Sequence, residues 1–285
     1  MHKIPLSRLI FFPVIISSQL VQAATPVDLT LSAGYINDDN ITRAELNSDI
    51  LKDSILTVTA DAAYNIKFNN SSSINLNGLL VLNQYEDFDK LSNIRLGLGA
   101  RYLIQPDTAY TAPWYAISAR FQDWEYDSDM RSGTFYQLSF NYGQRLTDKM
   151  ELRAGLDIET RDAESIIFDT DNSRLYINLD LKLSNRNILY TSLSYSDGDI
   201  VSTVKDSSPT TVKLASIPWE IDDAFPATWW SYKLDANTYG LMLGDNFAIN
   251  SKQSFDISLF YYSSSAYAGS DYTGLITELR YFYRF

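Results

Sequence analysis

The chain closes on a segment that can bury only one of its two faces. In residues 275–285, Leu275, Leu279, Tyr281, Tyr283 and Phe285 fall on one side of an extended strand, and Glu278, Arg280 and Arg284 fall on the other. A water-soluble strand rarely presents that many aromatics at a chain end. A strand with lipid on one side and a polar lumen on the other has this alternation.

The pattern recurs along the chain. Alternating segments occur at 28–36, 55–66, 74–85, 94–104, 114–122, 134–142, 150–159, 174–183, 188–195, 232–243, 255–261 and 275–285. In one of the clearest, Leu175, Ile177, Leu179, Leu181 and Leu183 oppose Arg174, Asn178, Asp180 and Lys182. Segment 232–243 changes phase near Gly240, which predicts a bulge. Polar residues interrupt every later apolar run, so no transmembrane helix is expected. The 20 Tyr, 14 Phe and 5 Trp suit aromatic girdles at two membrane interfaces, with Tyr64, Tyr102, Tyr142, Tyr195 and Tyr283 at strand ends. A soluble β-sandwich would also alternate, without that placement of Tyr.

Aromatics at Tyr281 and Tyr283 before a final Phe285 resemble the assembly signal of Gram-negative outer-membrane β-barrel proteins. The resemblance is porin-like and names no specific family. It implies a transmembrane antiparallel up-and-down β-barrel in the outer membrane of a Gram-negative bacterium. Lipid and lipopolysaccharide would surround it, and the barrel assembly machinery would insert it. Twelve segments put both termini on the periplasmic side. The connections then sort into short periplasmic turns and longer acidic outward loops.

Residues 1–23 read as a signal peptide: Lys3 and Arg8, an apolar stretch from Leu9 to Ile16, and Val21-Gln22-Ala23. The barrel domain is then 24–285, with a long extracellular loop at 198–231. The whole-chain net charge of −12 argues against nucleic acid. The only histidine is His2, which leaves with the signal, and there is no cysteine. Nucleophilic catalysis would need an activated Ser with a Lys or carboxylate base, and no such motif stands out. No enzyme, metal or cofactor is therefore expected. The acidic clusters 37–40, 86–89 and 123–129 offer oxygen ligands, but their spacing matches no full calcium loop, so they read as solvated surface.

Chemistry is left to the lumen. The candidate lumen charges are Arg95, Arg101, Arg120, Glu151, Arg153, Asp157, Arg174, Asp180, Lys182, Glu278 and Arg280, joined by Asp61, Glu159, Asp235, Asp256 and Arg284. They could form a pore with opposed basic and acidic walls or a ladder of structural ion pairs. The architecture resembles twelve-stranded channels for acidic oligosaccharides or nucleosides, though the mixed charge here departs from a mainly basic lumen. Loop 198–231 carries Trp219 and Phe225 as candidate ligand contacts, and Trp229 and Trp230 as candidate interface anchors. The leading expectation is a small diffusion channel for polar solutes, gated by that loop. The alternative is a structural, adhesive or partner-holding barrel with a closed lumen.

Overall fold

A computed structural model describes residues 27–205, 219–226, 228–266 and 271–285. The expected signal segment lies outside them, as do residues 206–218 of the long loop. Among the described residues there are thirteen strands. Twelve are staves: β1 (Val27–Asp38), β2 (Asp53–Asn69), β3 (Ser72–Tyr85), β4 (Asn93–Ile104), β5 (Trp114–Tyr126), β6 (Gly133–Arg145), β7 (Met150–Ala163), β8 (Thr170–Lys182), β9 (Asn187–Lys205), β11 (Trp229–Ala248), β12 (Gln253–Ala266) and β13 (Asp271–Arg284). The thirteenth, β10 (Glu220–Ile221), is a two-residue ribbon on the edge of β11.

Each stave pairs antiparallel with its neighbours, and the β1–β13 seam closes the ring. Closure leaves no stave edge unpaired along the membrane-crossing length, which hydrocarbon requires of every backbone N–H and C=O. At the seam Thr30 faces Arg284, and the Phe285 amide donates to the Leu29 carbonyl at 3.1 Å.

The alternation read from the sequence is the inside–outside alternation of the staves. Leu98, Leu175, Ile177, Leu193, Ile257 and Leu279 point outward, with Leu98 69 % and Leu193 58 % exposed. In water such exposure would be costly; against lipid chains it supplies the apolar belt. Arg101, Arg120, Arg174 and Tyr176 point inward around a polar cavity.

Short connections gather at one end of the barrel, with the β1–β13 seam termini. They are 70–71, 146–149, 183–186 and 249–252, with a longer one at 105–113. Long connections gather at the other end. Here the strands run further than the sequence predicted: residues 198–205 and 229–231 are strand, although they were expected to be loop. Beyond the lipid the outer face of a strand meets water and the inner face packs in the cap, so the lipid-imposed alternation is lost while the hydrogen-bond ladder continues.

The predicted bulge near Gly240 is absent. β11 keeps unbroken register with β9 and β12 through this position. Two apolar environments explain the phase change. Tyr239, Leu241 and Leu243 face lipid, whereas Tyr232, Leu234 and Ala236 face inward and pack with Val204 and Ala266. Asp235 consequently lies on the opposite face of β11 from Leu234 and Ala236, exposed, and is not a lumen charge. The register shift that does occur is in β2, between Lys67 and Asn69.

Candidate functional site: a polar lumen under a loop cap

The middle of the lumen is a polar cavity of about 440 Å³, walled by β2 to β8. Among the expected residues, Arg101, Arg120, Asp157 and Arg174 line it, together with Asp61 and Tyr176. Arg120 points inward yet is exposed, so water reaches this level.

Glycines keep the wall thin. Tyr176 of β8 lies over Gly155 of β7, its directly opposed residue. A Cβ at Gly155 would sit 2.5 Å from the Tyr176 ring carbon that carries the hydroxyl. Tyr190 covers Gly244 and Trp114 covers Gly143 in the same manner. A ring that lies on a glycine hugs the wall instead of crossing the bore. The Tyr190 hydroxyl donates to Asp256 at 2.7 Å, and Asn246 donates to the other Asp256 oxygen at 3.2 Å.

The charges divide into two groups. Arg174 donates to Asp157 at 2.6 Å and lies 3.9 Å from Glu159, Arg153 pairs with Asp180, and Arg280 pairs with Glu278. Arg284 pairs with Asp28 across the seam at 2.8 Å. Arg95, Arg101 and Arg120 have no carboxylate partner among the described residues. The Arg95 guanidinium lies over Trp124 at 4.2 Å, and that of Arg101 lies over Trp114 at 4.9 Å. Glu151 and Lys182 form no ion pair among the described residues; Lys182 is exposed near the short-turn end.

The long-loop end is capped. The β1–β2 connection folds inward, burying Asn40, Thr42 and Ala44. Asn40 donates to the Thr273 carbonyl at 2.9 Å and to the Ala44 carbonyl at 3.0 Å. Arg43 adopts a left-handed φ of 52°, pairs with Asp38 at 2.7 Å and contacts the Tyr262 hydroxyl. Burial opposes the charge of Arg43, but facing Asp38 outweighs it and holds the guanidinium pKa above its ordinary value.

The β9–β11 hairpin then reaches across. Gly198 (φ 144°) is where β9 leaves β8; a Cβ there would sit 2.1 Å from the Asp171 carbonyl oxygen. Beyond it, the Thr203 amide donates to the Thr42 carbonyl at 2.8 Å. Glu220 accepts from Ser165 at 2.6 Å. Asp222 pairs with Arg131. Asp223 accepts from Lys90 at 2.9 Å and from Ser128 at 2.5 Å. Phe225 and Trp229 bury themselves against Leu91, Phe88 and Ile41. The hairpin thus touches the connections that follow β1, β3, β5 and β7, and the β3–β4 connection stands diametrically across the twelve-stave ring.

This placement changes the expected roles of the aromatics. Phe225 is 7 % exposed inside the cap cluster and presents no open stacking face. Trp229 is 6 % exposed in the same cluster, not anchored at the lipid interface. Trp219 remains 42 % exposed, edge-on to Trp230. Sequence reasoning missed Arg131, Arg161 and Lys90, because the groups that meet them, Asp222 and Asp223 of the hairpin for Arg131 and Lys90 and Trp124 of β5 for Arg161, lie far away along the chain.

No protein-family model matches the chain, and no curated protein matches it in sequence. Solved structures do. An outer-membrane channel from Pseudomonas putida F1 superposes with a TM-score of 0.61 at 13 % identity, over 92 % of this chain and 97 % of that one. The fold is that of an outer-membrane β-barrel. The barrel is also similar to the KdgM porin in complex with disordered oligogalacturonate (TM-score 0.46, 8 % identity, 90 % of this chain and 99 % of that one) and to the NanC porin (TM-score 0.46, 7 % identity, 90 % and 98 %). The exposed apolar belt of the staves is a surface suited to lipid chains.

Proposed function

We propose that the barrel is a small diffusion channel for polar solutes, with flow controlled at the capped end by the 198–231 hairpin. The observation that carries this reading is the water-reached, polar cavity in mid-lumen, where rings lie on glycines instead of filling the bore. A lumen used only as structural filling would be closed by packed side chains. Asp61, with no ion-pair partner among the described residues, would be costly in such a filling, and with exposed Arg120 it suits a wetted path.

The cap supports control by loop movement. Beside the apolar cluster of Phe225 and Trp229, it is latched to the other connections by single polar contacts: Lys90–Asp223, Arg131–Asp222 and Ser165–Glu220. By the sidedness of bacterial barrels, the capped end is extracellular and the short-turn end periplasmic. No part of this reading calls for catalysis. Tyr281, Tyr283 and Phe285 would serve as the signal read by the barrel assembly machinery.

The same cap favours the second reading, a structural or partner-holding barrel, if it never opens. Single-channel recording in a planar bilayer separates the two. The expected outcome is discrete conductance with a cap-dependent closed state. A folded, heat-modifiable barrel that stays silent, including after deletion of residues 203–224, would overturn the channel reading.

A further inference from the structure

The arginines of this lumen are held in two different ways, and the difference has an electrostatic consequence. Arg153, Arg174 and Arg280 are held by carboxylates, so each contributes little net charge. Arg95, Arg101 and Arg161 are held by aromatic faces. Arg95 and Arg161 both lie on Trp124, at 4.2 and 5.0 Å, and Arg161 also lies 5.3 Å from Tyr126. Trp124 is itself braced by Phe135, stacked at 5.0 Å with an interplanar angle of 14°. Arg101 lies on Trp114, which rests on Gly143. A ring face orients a guanidinium without cancelling its charge, and it leaves the N–H edges free to donate.

The polar partners these arginines do have are neutral. Arg95 donates to Asn93 at 2.9 Å and to the Tyr126 hydroxyl at 3.5 Å. Arg161 donates to the Arg131 carbonyl. Among the described residues the buried Nε atoms of Arg101 and Arg161 have no partner, as is also so for Arg153 and Arg280. Arg120 has neither a ring nor a carboxylate among the described residues, and stands exposed between the two levels.

The register sets them in a line. Arg95 lies level with Trp124, Arg120 level with Gly99 and Gln137, and Arg101 level with Ser118. Arg161 is opposite Phe135. The stripe therefore descends the β4–β7 wall from beneath the cap to the middle cavity. Against it, Asp61 is the carboxylate that lines the cavity without a partner among the described residues.

We propose that this stripe is a binding track for small organic anions bearing carboxylates, which pass from one guanidinium to the next. The proposal rests on the channel reading and names its solute class. A guanidinium edge takes the two oxygens of a carboxylate side by side. Several weak sites in series let a solute both enter and leave. The cap carboxylates beside the stripe are themselves paired, Asp222 with Arg131 and Asp223 with Lys90, and acidic loops more than a Debye length away are screened.

Two measurements test it. In a planar bilayer under a potassium chloride gradient, the reversal potential should show a preference for chloride. Arg101→Gln with Arg120→Gln should lower that preference about threefold or more, and Asp61→Asn should raise it. Current without anion preference, or unchanged in the double variant, would overturn the track while leaving the channel intact. In the second measurement, succinate is titrated into the detergent-folded barrel and read by tryptophan fluorescence, since Trp114 and Trp124 lie directly under Arg101 and Arg95. A saturable change in the parent, lost in Trp124→Phe and weakened in Arg95→Gln with Arg161→Gln, supports the track even if no current flows. No response to succinate would overturn it, and a response to inorganic phosphate alone would overturn the carboxylate assignment.

Discussion

Gly155 and Tyr176 show how much a single inward position decides in a narrow barrel. The Tyr176 ring lies on the wall because Gly155 has no Cβ, and its hydroxyl meets Asn141. Gly155→Val would place a branched side chain where the ring now rests. The expected outcome is a Tyr176 ring swung into the bore, with single-channel conductance reduced while heat-modifiable folding is retained. Arg43 is the corresponding residue in the cap. Its guanidinium faces the buried Asp38 carboxylate, so Arg43→Met leaves Asp38 with the Asn40 amide as its remaining donor, at a cost of about 1–3 kcal/mol to the docked loop. Limited proteolysis should then cut within residues 39–52, a segment resistant in the parent.

Among the elements, the β9–β11 hairpin departs furthest from the sequence reading. Residues 198–205 of β9 and 229–231 of β11 extend past the expected ends, the chain turns away from β8 at Gly198, and the hairpin closes the mouth through carboxylates that meet cations from other connections. Asp222→Asn with Asp223→Asn removes the charge from both latches, Arg131 and Lys90. Exposed pairs contribute only about 0–1 kcal/mol each, whereas removing one charge of the buried Asp222–Arg131 pair costs more, because Arg131 is left without its counter-charge. A higher open probability, with unchanged conductance of the open state, is expected in bilayer recordings. Raised salt should act in the same direction through the exposed Lys90–Asp223 pair. The alternation of β3, β4, β7 and β8 was legible because lipid and lumen impose opposite chemistry on successive residues. The upper parts of β9 and β11 were not legible, because neither face there meets lipid.

For the whole molecule, stability comes from a closed ladder and an outward apolar belt instead of an apolar centre. Leu98 stands near the middle of β4 and is 69 % exposed to what must be hydrocarbon. Leu98→Arg should destabilise the folded barrel by about 2–4 kcal/mol, read as a lower denaturant midpoint in vesicle refolding. The same arginine at an inward position would meet water and cost far less. The sequence by itself determined the twelve staves, the inward and outward sets along their lipid-facing lengths and the absence of imidazole beyond His2, since period-two alternation and composition are local properties. Only the tertiary structure decided which arginines keep their charge, where Phe225 and Trp229 are buried, and that a hairpin spans the mouth. Those outcomes depend on groups brought together from distant staves when the ring closes. No local pattern records which aromatic or carboxylate a given guanidinium will meet.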